Sequence, residues 1–69
     1  MSDLNDTILA AHARDDRRAL VGLYTQAADQ TNDINTVCFF LTYAYIYALE
    51  LGHPDADALY ARLGAHGRV

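Results

Sequence analysis

Among the side chains of this 69-residue chain able to attack or to move protons, those to weigh first are Cys38, the histidines at 12, 53 and 66, and the carboxylates Asp16, Asp55 and Asp57. A thiol attacks as its thiolate, which needs a neighbouring group to lower its pKa. Cys38 has no His or Lys near it in sequence and sits in an apolar stretch, so it reads as a buried, inert thiol. His12 and Asp16 are four residues apart and meet only on a continuous helix, whereas Asp15 and Asp16 read as the start of a new one. Asp55 and Asp57 suit the positive end of a helix dipole better than an acid/base pair. No pair of these residues has metal-ligand spacing on one helix face, and there is no Gly-rich phosphate loop. The expectation is a non-enzymatic protein with no catalytic residue, no metal and no cofactor.

A rival reading places a pocket among Tyr24, Cys38, Tyr45 and His53, making a small ligand-binding protein or enzyme. It requires a His within hydrogen-bonding distance of Cys38 in a concave site.

The elements that must position these residues are helical. Leu4, Ile8 and Ala11 recur at helical spacing over residues 3 to 13, with Ser2 or Asp3 as N-cap. From about 16 to 30, Leu20, Leu23, Tyr24, Ala27 and Ala28 make an amphipathic stripe capped by Asp15 or Asp16. Residues 31 to 35, Thr-Asn-Asp-Ile-Asn, carry the side chains of turns and caps. A third helix runs from about 34 to 51, and Gly52 suits a left-handed stop. Pro54 fits the first turn of a fourth helix, whose apolar stripe is Ala56, Leu59, Tyr60 and Leu63 and whose end is Gly64 or Gly67. The fold class is all-α: three or four short helices in antiparallel hairpins, one domain over residues 1–69, the third helix central.

That third helix is the unusual one. Between Asp33 and Glu50 there are sixteen consecutive uncharged residues, with Phe39, Phe40, Tyr43, Tyr45 and Tyr47 among them. At 100° per residue, Val37, Phe40, Leu41, Ala44, Tyr47, Ala48 and Leu51 gather on one side, which the second and fourth helices can cover. Phe39, Tyr43, Ile46 and Glu50 descend the other side at i, i+4, i+7 and i+11. Either the short first helix covers that second face or another chain does. A domain this small buries little of its surface, so an all-round apolar helix points to a partner. Phe39, Tyr43 and Ile46 are the expected partner-binding residues, in self-association; burying all three contributes roughly 4 to 8 kcal/mol before association costs.

Composition narrows the classes further. The single Cys38 forms no intramolecular disulfide, so oligomerisation or close helix packing must supply the stability that small folds otherwise take from cross-links. Twelve alanines favour the second by letting helices approach closely. The formal charge of -4 and the absence of Lys argue against nucleic acid, and Asp15 and Asp16 interrupt the basic group Arg14, Arg17 and Arg18. The start, Met-Ser-Asp-Leu-Asn-Asp, lacks the basic and apolar segments of a signal peptide, so a cytoplasmic location is expected. The strongly apolar part, Val37 to Leu51, falls short of the roughly twenty residues of a membrane span.

Two resemblances emerge from these residues. Ala48-Leu49-Glu50-Leu51, Pro54, then Tyr60, Leu63 and Gly64 resemble the passage from one tetratricopeptide repeat into the next, with His53 one residue in excess. Leu20, Leu23, Tyr24 and Ala27 similarly resemble the first helix of an earlier repeat. That likeness implies antiparallel hairpins that bind proteins and no catalytic residues. His53-Pro54-Asp55 is similar to the His-Pro-Asp signature of J-domain co-chaperones, which implies stimulation of a partner ATPase. The helix before it is uncharged and aromatic where that family's is basic.

Overall fold

Three aspartates open three of the four helices. The computed structural model describes residues 3–68, which form α1 (Leu4–Ala13), α2 (Arg17–Asp29), α3 (Ile34–Leu51) and α4 (Ala56–Ala65), with no strand among the described residues. The carboxylate of Asp3 accepts from the Asp6 amide at 2.8 Å, Asp16 from Ala19 at 3.2 Å and Asp33 from Thr36 at 3.1 Å. In each case the acceptor satisfies an amide that the helix itself leaves unpaired, worth about 1 kcal/mol relative to alanine. Ser2, the alternative first cap, lies outside the described residues.

The helix ends share a second device. After α3, His53 N donates to Ala48 O at 2.8 Å and Gly52 N to Leu49 O at 3.3 Å, with Gly52 at φ 62 and ψ 33. After α4, Arg68 N reaches Leu63 O and Gly67 N reaches Gly64 O, with Gly67 at φ 73. These are paired-bond Schellman stops, which need a left-handed residue. After α1 the same pair of bonds runs from Asp16 to Ala11 and from Asp15 to His12, with Asp15 in the left-handed position at φ 53. Asp16 thus closes α1 with its amide and opens α2 with its side chain.

Consecutive helices run antiparallel and pack closely only on their neighbours along the chain: α1 on α2, α2 on α3, α3 on α4. The result is a slab of 33 × 28 × 13 Å. Its core has two parts. Ile8 and Ala11 meet Leu20 and Ala27 between α1 and α2, with Phe40 and Tyr47 of α3 against them. Val21 and Ala28 of α2 join Val37, Cys38, Leu41, Ala44 and Ala48 of α3 and Leu59 and Leu63 of α4. Small residues at these contacts bring helix axes together. Polar links tie the ends: Arg17 to Glu50 at 3.4 Å, Arg62 to Asp29 at 2.7 Å and Arg68 to Asn35 at 2.6 Å.

Three expectations are corrected. Pro54 does not lie in the first turn of α4, which begins at Ala56; it occupies a hydrogen-bonded turn in which Ala56 N donates to His53 O at 3.1 Å. The fixed φ of proline suits that turn position equally well. Tyr60, placed in the apolar stripe of the fourth helix with Leu59 and Leu63, is 52% exposed where those two are buried, and leans on Tyr45 at a centroid distance of 5.8 Å. Val21, absent from the expected α2 stripe, is fully buried, because α2 is covered on two sides and therefore buries a wider arc than a one-sided helix.

Candidate interaction face

The two faces read from the sequence of α3 separate cleanly in space. Val37, Leu41, Ala44 and Ala48 are buried, and Phe40, Tyr47 and Leu51 are half-buried against α1, α2 and α4. Opposite them, Phe39 is 55%, Tyr43 39% and Ile46 45% exposed. The short α1 packs on α2 instead, reaching α3 only through His12 and the cluster around Phe40 and Tyr47. It leaves Phe39 and Ile46 uncovered.

Aromatic packing holds this face in shape. The Phe39 ring stands edge-on to Tyr43, with centroids 5.0 Å apart, and Tyr43 stacks on Tyr24 of α2 at 5.5 Å. Tyr24 also stacks on Tyr47 at 6.1 Å, and its hydroxyl shares a hydrogen bond of 2.8 Å with His12 Nε2. Burial raises the pKa of Tyr24 above the ordinary tyrosine value, and the neighbouring Tyr47 and Tyr43 hydroxyls add to the rise. Rings fixed on several sides lose little freedom on docking, which favours their use as anchors.

Leu49 extends the face and was missed. It is 55% exposed, three residues beyond Ile46 and ten beyond Phe39, a helical spacing that was present in the sequence. Beside Phe39 lies a groove of about 370 Å³ lined by Asn35, Cys38, Phe39, Thr42, Tyr43 and Arg68. A smaller apolar hollow of about 200 Å³ lies near Leu4, Ile8, Ala27 and Phe40.

The structure does not assemble the rival pocket. Tyr24 is engaged by His12, Tyr45 by Tyr60, and His53 Nδ1 accepts from the Asp55 amide at 3.0 Å. Cys38 is a buried free thiol near the start of α3, about 20 Å along the helix from its His53 end at 1.5 Å per residue. His12 and Asp16 also part company, since Asp16 pairs with Arg14 at 3.3 Å. Arg17 lies 3.5 Å from Asp15, so two of the three clustered arginines face carboxylates. No group of three or more His, Cys, Asp or Glu side chains able to hold a metal occurs among the described residues. By length and composition alone, α3 is also apolar enough to cross a membrane.

What fold and face define together is a small all-α domain presenting one aromatic, apolar helix surface with Glu50 at its far end. No family model, curated protein or solved structure matches the chain.

Proposed function

We propose that this chain is a non-enzymatic interaction module that associates with itself through Phe39, Tyr43 and Ile46. The observation that carries the reading is the joint exposure of these three side chains on a helix whose opposite face is already buried. Leu49 lies beside them and adds apolar area. About half of each anchor is covered within the monomer, so docking contributes roughly 2 to 4 kcal/mol per copy rather than the full-burial figure. Set against an association cost of about 4 kcal/mol or more, this describes at most a weak dimer, populated toward millimolar concentration. A cytoplasmic protein partnering neither nucleic acid nor membrane fits the acidic charge and the polar residues that flank α3, Asp33 before it and His53 and Asp55 after Gly52.

The test is solution mass by sedimentation over a wide concentration range, for the native chain and for Ile46→Asp. Ile46 is half-exposed, so the substitution leaves the fold intact and yields a monomer. A native chain that stays monomeric throughout, or a variant that sediments as the native chain does, overturns the reading. Flotation of the native chain with lipid vesicles and loss of the monomer–dimer equilibrium would assign α3 to a membrane surface instead.

A further inference from the structure

Resting on that self-association, we infer that two copies dock antiparallel along α3, with Arg68 of each copy paired to Glu50 of the other and Leu49 of each seated in the other's groove. The charges around the face are arranged by end. Arg68 lines the groove at the start of α3 beside Asn35, Phe39 and Tyr43, whereas Glu50 stands near the end of α3 on the same stripe as Phe39, Tyr43 and Ile46. Antiparallel docking sets unlike charges together at both ends. Parallel docking sets Glu50 against Glu50 and Arg68 against Arg68, and like charges facing across an interface are selected against.

The groove has the form this docking needs. Asn35, Cys38, Phe39 and Thr42 occupy positions i, i+3, i+4 and i+7, the four-cornered hole into which one side chain of a facing helix inserts. The exposed residues Asn35, Phe39, Thr42, Ile46 and Leu49 advance in steps of four, three, four and three, the alternation of a helix–helix seam. When Leu49 of the second copy fills the hole, the adjoining Glu50 comes level with Arg68. The two-fold axis then falls level with Tyr43, so Ile46 and Tyr43 of both copies occupy the centre. Arg68 is held within its own chain by the neutral amide oxygen of Asn35, and the Glu50–Arg17 pair is half-exposed, so both ends can be shared with a second molecule.

The experiment compares dimer dissociation constants by sedimentation for the native chain, Glu50→Arg, Arg68→Glu and the double variant, with dilute-solution melting to confirm each fold. Each single reversal is expected to weaken the dimer roughly three- to tenfold, and the double variant to regain most of the loss. A spin label at exposed Asn32→Cys in a Cys38→Ala background gives orientation independently of charge. Antiparallel docking places the two labels about 35 Å apart along the helix direction, parallel docking about 10 Å. A native dimer that Ile46→Asp dissociates but that neither charge reversal affects, or that shows the short label distance, overturns the antiparallel arrangement and leaves self-association standing. A native chain that never dimerises removes both.

Discussion

His12 Nε2 and the Tyr24 hydroxyl lie 2.8 Å apart, joining α1 to α2 at the ring that also supports Tyr43 and Tyr47. The bond links a helix that touches none of Phe39, Tyr43 and Ile46 to the aromatic support beneath them. Either ring nitrogen state serves, since a neutral imidazole can accept the phenol proton and a protonated one can donate to the phenol oxygen.

Tyr24→Phe keeps the stacking and removes only this bond. The expected loss is about 0.5 to 1.5 kcal/mol, which in a domain of this size lowers the melting temperature by several degrees. Calorimetry or a circular dichroism melt checks it. An unchanged midpoint would show that the hydrogen bond contributes nothing net.

Asp15 and Gly52 occupy the same left-handed position after α1 and α3 but differ in how well they suit it. Asp15→Gly removes the side-chain clash of that conformation and is expected to stabilise the fold by roughly 0.5 to 1 kcal/mol. The exposed Asp15–Arg17 pair it sacrifices is worth little. Gly52→Ala is expected to cost about 1 to 2 kcal/mol, and from backbone strain alone, because nothing lies within 4 Å of an added Cβ. Urea titration of both variants should move the midpoint in opposite directions.

Leu41 and Phe39 are two residues apart and answer to different environments. Leu41 is fully buried at the junction of α2, α3 and α4, so Leu41→Ala should cost about 2 to 5 kcal/mol and unfold a large fraction of the protein at room temperature. Phe39→Ala removes an exposed ring and should cost the isolated monomer much less while weakening the proposed dimer. Melting at low concentration and mass at high concentration separate the two effects.

Two groups make stability depend on pH in opposite directions. Asp33 is held below the usual carboxylate value, first by the Thr36 hydroxyl and then by the Thr36 amide. Its contribution is present above pH 3.8 and fades as pH falls through its lower folded value. Tyr24 is raised, chiefly by burial. Its unfolded form sheds its proton near pH 10.0 while the folded form retains it, so stability declines as pH rises from there through the folded value. Melting temperature against pH should therefore fall at both extremes, with Asp33→Asn flattening the acid limb and Tyr24→Phe the alkaline one.

The helices were legible because each is written locally. Asp3, Asp16 and Asp33 supply caps, Gly52 and Gly67 supply stops, and the spacing of apolar residues places α3 over Ile34–Leu51 as expected. The division of α3 into a covered face and one holding Phe39, Tyr43 and Ile46 was also readable, since helical periodicity alone sorts side chains by direction. Leu49 has the same helical spacing but sits at the edge of that face, about 80° round the helix from Phe39, where periodicity alone marks it less clearly.

Tertiary packing decided what periodicity leaves open, namely which neighbour covers which face. α1 settled on α2 rather than across Phe39 and Ile46, because Ile8 and Ala11 find their partners in Leu20 and Ala27. Val21 became core because α2 has helices on two sides, Tyr60 became surface because α4 has a single neighbour, and Arg68 came to the rim of the α3 groove only through the chain's return beside Asn35. The sequence by itself specifies the rotation of each side chain about its own helix axis, a local property of 3.6-residue turns. The arrangement of axes depends on contacts between segments remote in the chain, and that alone determined which apolar residues were left facing water.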